Sequence, residues 1–263
     1  MTAPDRGTAV VDVVTARLPG LSLPEVVATS ALMSRTDRKY LLRPPEFLAL
    51  ADALGADLAG LDIAGRRSFG YSSTYFDTPD LAVFRAHRQD RRRRFKIRTR
   101  TYTDSADTFC ELKLSGRRDE TVKVRRPHPT RSAHALTAST LSFLDDQLMA
   151  SFGRPAPRPL AASLVTTYRR ATLVTADRRT RVTCDTGLTW SAGTRELPAA
   201  RDLVLVEVKS AAGRNPVTET LARLRIRELS VSKYCSGLVA LGLTGGGNRW
   251  LPALRRLAVH PIW

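Results

Sequence analysis

Charged and apolar residues alternate along several segments of this chain, and this alternation limits the possible folds more than any other sequence feature. The alternating runs lie at 35–40, 95–100, 110–114, 122–125, 181–185 and 204–209. Side chains alternate between the two faces of a β-strand, so each run places its charges on one face and mostly apolar residues on the other. Tyr168 and Arg170 share a face in the same way, within the strand expected before 181–185. The pattern predicts six or more strands, each with one charged face.

The charges on these faces are mainly basic. Eleven basic positions stand beside four acidic ones. The basic residues are Arg35, Lys39, Lys96, Arg98, Arg100, Lys113, Lys123, Arg125, Arg170, Arg181 and Lys209, and the acidic ones are Asp37, Glu111, Asp185 and Glu207. For any single strand, the simplest interpretation is an antiparallel sheet with a solvated face. The repetition across all the strands favours closure into a barrel with the charges inside, since closure also removes exposed strand edges.

A basic lumen requires an anionic occupant, because its cations otherwise repel one another and are poorly solvated. The whole chain has 42 basic and 25 acidic residues, a net charge of +17, and only six of the basic residues are lysine. Linear phosphate chains fit such a lumen. The minority carboxylates suit a hard divalent cation, Mg²⁺ or Mn²⁺, that bridges phosphate oxygens. Glu111 and Glu207 each stand two residues before a lysine on the same face, so we expect them to be the metal ligands.

Nine segments in chain order carry a resemblance to a known family. They are RTDRKY (35–40), YFDTPDL (75–81), RFKIRTRTY (94–102), ELK (111–113), KVR (123–125), YRR (168–170), RVTCD (181–185), VEVK (206–209) and SKY (232–234). Together they resemble the VTC domain, the polyphosphate polymerase domain of the CYTH-like triphosphate tunnel metalloenzyme superfamily. The likeness spans about residues 30–243. It implies an antiparallel β-tunnel that binds ATP or polyphosphate and transfers the γ-phosphate to a growing polyphosphate chain with a divalent metal.

The resemblance also implies roles for individual residues. In the family, basic tunnel residues bind phosphates and a glutamate in a late strand binds the metal. The matching positions are Lys39, Arg98, Arg100, Lys113, Arg170, Arg181, Lys209 and Lys233, with Glu207 as the metal ligand. We take Lys39, Arg98, Arg100 and Lys209 as the catalytic group and the others as substrate-binding. Alternation adds Arg35, Lys96, Lys123 and Arg125 to the substrate-binding set, and it adds Glu111, which suits either a metal or an ion pair.

One departure from the related enzymes affects the expected reaction. Tunnel triphosphatases begin with E-x-E-x-K, whereas this chain has Arg35-x-Asp37-x-Lys39 and therefore fewer carboxylates for a second, water-activating metal. This favours binding or transfer over hydrolysis. A tunnel triphosphatase and a non-catalytic module that binds polyphosphate or another polyanion remain the alternatives. Nucleic acid is not the expected partner, because the charged faces hold almost no aromatic residue besides Tyr168 for stacking bases.

The remaining segments predict packing elements of an α+β fold. Helices are expected from Pro44 to Leu54, over 138–152, after Pro216 and over 232–243. We expect an N-terminal extension (1–28), a tunnel domain (29–244) and a C-terminal linker and tail (245–263). Three widely separated cysteines predict free thiols. With no apolar run long enough for a membrane helix and no signal peptide, we expect a soluble cytoplasmic protein.

Overall fold

The computed structural model describes residues 5–31, 36–115, 121–210 and 214–259. Within these residues it contains eight α-helices and eleven strands in one sheet. The helices are α1 (Arg6–Arg17), α2 (Leu23–Ala31), α3 (Pro44–Leu54), α4 (Ala82–Arg88), α5 (Ala138–Phe152), α6 (Pro216–Arg223), α7 (Lys233–Ala240) and α8 (Leu251–Arg256). The strands are β1 (Gly20–Leu21), β2 (Thr36–Leu42), β3 (Leu58–Leu61), β4 (Ser68–Asp77), β5 (Phe95–Tyr102), β6 (Asp107–Ser115), β7 (Thr121–Pro127), β8 (Ala161–Thr175), β9 (Thr180–Ala192), β10 (Arg195–Pro198) and β11 (Val204–Ser210).

The long strands form one antiparallel sheet in the order β2-β11-β9-β8-β4-β5-β6-β7. The sheet curls so far that its two ends approach each other: Lys113 Nζ of β6 lies 3.8 Å from Asp37 Oδ2 of β2. In the described residues, β2 and β7 are not hydrogen-bonded to each other, so the sheet does not close into a complete barrel. The ion pair between Lys113 and Asp37 spans this gap. The result is the predicted α+β fold, an antiparallel β-tunnel with flanking helices.

Helices cover the apolar outer face of the sheet. One hydrophobic cluster contains Val11 of α1, Phe47 of α3 and Val217 of α6 together with Leu42 and Val206 of the sheet. Leu42 and Val206 alternate along their strands with charged residues. The period-2 pattern therefore separates an apolar outer face from a charged inner face.

Helix α7 packs on the opposite face, which carries the charges. The ring of Tyr234 in α7 stacks on Tyr75 of β4 with centroids 5.0 Å apart. Trp190 of β9 donates a hydrogen bond from Nε1 to the Lys233 carbonyl at 2.8 Å. Because Tyr75 also accepts a hydrogen bond from Arg98 at 3.2 Å, α7 lies inside the curl of the sheet. It places its first turn beside the charged lining.

Four helices match the sequence-based prediction. Helices α3 and α5 have the expected bounds, α6 starts at Pro216, and α7 begins one residue after its cap, Ser232, and ends three residues short of 243. The prediction missed α1, α2, α4 and α8. Trp250 and Leu254, in the expected tail, are buried in the same cluster as α7. The division into extension, tunnel domain and tail stays a prediction.

Two further expectations concern cysteines and membrane helices. Cys110, Cys184 and Cys235 are all buried free thiols, as predicted. In the described part of the chain, no helix has both the length and the apolar character that a membrane crossing requires.

Candidate functional site

The charged residues predicted from alternation lie along one lining. Directly paired residues of adjacent strands project from the same face of a sheet. The pairs are Lys96 with Lys113, Lys113 with Lys123, Arg98 with Glu111, Glu111 with Arg125, Glu207 with Lys39, Lys209 with Arg181, and Arg170 with Asp185. Arg100 shares the β5 face with Arg98, and Lys233 enters from α7. Arg35 lies outside the described residues, and its role stays a prediction.

Glu111 is surrounded by three cations. Its side chain is 2% exposed, and Arg98 donates to Oε2 from Nε at 2.8 Å and from Nη2 at 2.6 Å. Lys123 Nζ lies 2.5 Å from Oε1, and Arg100 Nη1 lies 3.8 Å from Oε2. Burial alone would raise the pKa of this carboxyl, but the three cations lower it well below its ordinary value. Both oxygens are engaged, which favours the ion-pair alternative; the metal role of Glu111 stays a prediction.

Asp185 organises a second cluster. Arg170 donates to both of its carboxylate oxygens, from Nε at 2.5 Å and from Nη2 at 2.8 Å, and Lys233 Nζ donates to Oδ2 at 2.5 Å. Tyr168 lies against this cluster, with its ring centroid 4.6 Å from Lys233 Nζ and its hydroxyl accepting from Arg100 at 3.0 Å. Burial opposes ionisation of Tyr168, but Arg100, Arg170 and Lys233 outweigh it and lower the pKa of the phenol. Tyr168 thus connects the Asp185 cluster to the Glu111 cluster.

A third cluster lies on β2 and β11. Lys209 Nζ is 3.1 Å from Glu207 Oε1 and 3.9 Å from Asp37 Oδ2. Lys113 reaches the same Asp37 oxygen from β6, and Lys39 pairs with Glu207 across the two strands. Burial would raise the pKa of Glu207, but Lys209 and Lys39 lower it well below its ordinary value. Glu207 therefore stays ionised.

Lys96 lies beside other cations of the lining and pairs directly with Lys113 across β5 and β6. Burial is the main reason that the pKa of its ammonium falls from 10.5 to about 8, and the charges of Lys113, Lys39 and Arg98 lower it further. The thiol of Cys235 acts in the opposite direction, and less than burial does. A lysine that loses its proton this easily indicates a site that lacks negative charge.

The carboxylates of the third cluster fit a divalent ion better than Glu111 does. The described residues contain no group of three or more His, Cys, Asp and Glu side chains placed to hold a metal unaided. Asp37 and Glu207, however, both lie within 4 Å of Lys209 Nζ. Asp37 Oδ1 is buried and has no hydrogen-bond partner among the described residues. Two such carboxylates suit Mg²⁺ or Mn²⁺ when substrate phosphates supply further ligands.

Sequence reasoning missed the aromatic part of the lining. Tyr71 and Tyr75 on β4, Tyr102 on β5 and Phe109 on β6 all share a face with the charged residues. From Tyr71 to Tyr75 the lining positions of β4 carry no charge, so the charge pattern could not identify this strand. The period-2 placement of Tyr71, Ser73 and Tyr75 is the signal that could have found it.

The fold and its lining define a β-tunnel protein with a predominantly basic lining. The family model of the VTC domain matches residues 34–241, so this chain belongs to the VTC domain family. A comparison with curated proteins gives no match.

Solved structures with a similar fold have low sequence identity. A proposed adenylate cyclase from Bacillus halodurans has a TM-score of 0.46 and 16% identity, covering 76% of this chain and 96% of its own. A proposed adenylyl cyclase from Hippeastrum, described with a dominant triphosphatase activity, has a TM-score of 0.47 and 14% identity over 76% of this chain and 93% of its own. A proposed adenylate cyclase from Vibrio parahaemolyticus has a TM-score of 0.43 and 10% identity, with 76% and 95% coverage.

Proposed function

We propose that this protein is a polyphosphate polymerase-type enzyme that binds ATP and polyphosphate in its tunnel and transfers the γ-phosphate of ATP to the polyphosphate chain. The observation that carries the proposal is the excess of cations along the described lining. Eleven basic side chains, counting Lys233, stand beside the four carboxylates of the three clusters, Asp37, Glu111, Asp185 and Glu207. A linear polyphosphate carries one negative charge or more per phosphate and neutralises such a row along its whole length.

In this proposal the basic residues position the reacting phosphates. Arg98, Arg100 and Arg170 carry planar guanidinium groups whose N–H donors match phosphate oxygens. In the empty tunnel these donors bind Glu111, Tyr168 and Asp185, and in this proposal they turn to the phosphates when the substrate binds. Lys39 and Lys209 lie beside Glu207, where they hold the phosphoryl group that is transferred. A terminal oxygen of the polyphosphate chain attacks the γ-phosphorus, the bond to the β–γ bridging oxygen breaks and ADP leaves, so positioning and charge neutralisation suffice without a protein nucleophile.

The metal would be held by Glu207 and Asp37. Bound there, Mg²⁺ or Mn²⁺ would neutralise charge on the phosphoryl group during transfer. Glu111 is bound by three cations, so its negative charge holds Arg98, Arg100 and Lys123 in place while the tunnel is empty. The small number of carboxylates favours transfer over hydrolysis, since a water-activating second metal would need further ligands.

One assay tests the proposal against its alternatives. Purified protein is incubated with ATP and Mn²⁺ or Mg²⁺, with and without a short polyphosphate primer, and long polyphosphate and free phosphate are both measured. Growth of long chains is the expected result. Release of phosphate without chain growth would instead identify a triphosphatase, and tight polyphosphate binding without either product would identify a non-catalytic binding module.

A further inference from the structure

A row of four aromatic rings crosses the lining from strand to strand. Tyr168 on β8 stacks on Tyr71 of β4 with centroids 5.3 Å apart and planes 5° from parallel. Tyr71 lies 5.1 Å from Tyr102 of β5, and Tyr102 meets Phe109 of β6 edge to face at 6.0 Å. One ring per strand thus forms a continuous aromatic band on the tunnel face, and we call these four residues the aromatic row.

The aromatic row runs from the buried interior to the solvent. Tyr168 is 4% exposed, whereas Tyr102 and Phe109 are half-buried. Beyond Phe109, the guanidinium of Arg125 lies 4.8 Å from the ring centroid, and its side chain is exposed. A half-buried aromatic ring with an exposed guanidinium over it is a surface that binds flat π-systems, because both the ring and the guanidinium plane stack on nucleobases.

The open end of the row lies beside the phosphate-binding residues. Arg100 is paired with Phe109 across β5 and β6, and such pairs have Cβ atoms about 5 Å apart. Arg100 also contacts Tyr168 and the ring of Tyr71, so it belongs to both the charged lining and the aromatic row. A nucleoside triphosphate has the matching division into a flat base and a chain of anionic groups.

We infer that Tyr102, Phe109 and Arg125 bind the base of the nucleoside triphosphate substrate, with Arg100 at the junction between the base and the phosphates. The inference rests on the proposed function, since it assumes that a triphosphate occupies the basic lining. It also distinguishes two ligands of that lining. ATP contacts Tyr102, Phe109 and Arg125 through its base, whereas tripolyphosphate has no base and does not contact them.

The test compares ATP with tripolyphosphate by titration calorimetry under the same buffer, salt and metal conditions. The variants are Phe109→Leu, which keeps an apolar side chain without a ring, and Arg125→Gln, which removes the guanidinium. Phe143→Leu is the matched control, because Phe143 is a partly buried aromatic residue of α5 and is not one of the four rings of the row. Melting temperatures establish that each variant is folded, and Arg125→Gln changes an exposed side chain if Phe109→Leu fails to fold.

We expect Phe109→Leu to weaken ATP binding about tenfold and to leave tripolyphosphate binding within about twofold of wild type, a loss typical of one stacked base. Arg125→Gln should also weaken ATP more than tripolyphosphate, and Phe143→Leu should change neither. Equal losses for the two ligands, or no loss for ATP, would overturn the base site. Wild-type protein that binds tripolyphosphate with no preference for ATP would overturn the base site alone, and wild-type protein that binds neither would overturn the proposed function as well.

Discussion

At the scale of single residues, each carboxylate of the Glu111 cluster, the Asp185 cluster and the third cluster balances at least one cation inside the tunnel. Asp185 is 1% exposed and binds both Arg170 and Lys233. Glu111 is 2% exposed and binds Arg98 and Lys123 on its two oxygens. Such buried pairs add little net stability, but loss of one partner leaves a buried charge without a counter-charge. The consequences differ between residues, and each can be measured.

The first prediction concerns the proton on Lys96. Its pKa is lowered to about 8, while the unfolded chain keeps the ordinary 10.5. Between these values the unfolded state binds more protons, so the stability of the ligand-free protein should rise with pH from about 8 towards 10.5. A bound polyanion returns the Lys96 pKa towards its ordinary value. Tripolyphosphate binding at pH 9 should therefore take up about one proton through Lys96.

Titration calorimetry at pH 9 in two buffers of different ionisation enthalpy measures this uptake. Lys96→Met should remove the proton uptake that Lys96 contributes, and it should keep or raise the melting temperature of the ligand-free protein. An unchanged proton count in Lys96→Met would show that Lys96 is not the titrating group.

The second prediction separates the metal site from the basic lining. Glu207→Gln keeps the size of the side chain but removes the charge that would hold the cation. Metal-dependent turnover should fall by about two orders of magnitude or more, because neutralisation of the transferring phosphoryl group is lost. Metal-free polyphosphate binding should survive or tighten. The metal role is falsified if Glu207→Gln keeps full metal-dependent activity, or if it unfolds the metal-free protein.

The third prediction is the contrasting result for Glu111→Gln. The variant leaves Arg98 and Lys123 without their counter-charge in a site where the carboxylate is 2% exposed. Breaking a buried pair in this way typically costs about 3–5 kcal/mol. The ligand-free melting temperature should fall well below that of Glu207→Gln, and saturating tripolyphosphate should restore much of it. A full loss of metal dependence with unchanged stability would return Glu111 to the role of metal ligand.

At the scale of secondary-structure elements, α7 connects packing to the site. Ser232 caps the helix by accepting from the Cys235 backbone N–H, and Lys233 in its first turn reaches Asp185. Gly237 lies where the helix touches the sheet: a Cβ there would come within 2.3 Å of Trp190 Cδ1 and 2.7 Å of Leu164 Cδ2. The position of Lys233 therefore depends on the absence of a side chain at Gly237.

The fourth prediction follows from this contact. Gly237→Ala should push α7 away from β8 and β9, lower stability by about 1–3 kcal/mol and weaken tripolyphosphate binding because Lys233 moves. Thermal melting and titration calorimetry measure the two effects. Gly245→Ala is the control, since nothing lies within 4 Å of the Cβ it would add. Binding that stays at the wild-type level despite the lower melting temperature would mean that α7 does not position Lys233.

Period-2 alternation was enough to predict the charged strands, because one buried face and one charged face follow directly from strand geometry. It could not predict their order, since hydrogen bonding between β4 and β8, or between β2 and β11, joins segments far apart in the chain. For the same reason the sequence identified Asp185 and Lys233 as lining or family positions but not as a pair: they lie on β9 and α7, 48 residues apart. Strand β4 and the rings of Tyr71, Tyr102 and Phe109 were not identified from the charge pattern, because the lining residues from Tyr71 to Tyr75 and the other two rings are uncharged.

At the scale of the whole molecule, the +17 charge is divided between the tunnel and the outer surface. Arg91, Arg92 and Arg93 are exposed in the turn before β5, whereas Arg98 and Arg170 are largely enclosed in the lining. Any polyanion can approach the exposed arginines through long-range attraction, but only a narrow one can enter the tunnel.

The last prediction uses this difference in width. A ligand that binds only the folded protein stabilises it by about 2.7 kcal/mol at a hundred times its Kd, so polyphosphate should raise the melting temperature by roughly 5–10 °C. Duplex DNA of the same total charge is too wide for the tunnel, and its smaller effect should vanish at moderate salt because exposed charges are screened. Replacing Arg91, Arg92 and Arg93 together by Gln should reduce the DNA effect and leave the polyphosphate effect intact. If duplex DNA matched polyphosphate at moderate salt, or if the triple variant lost both effects, the exposed arginines rather than the tunnel would be the polyanion site.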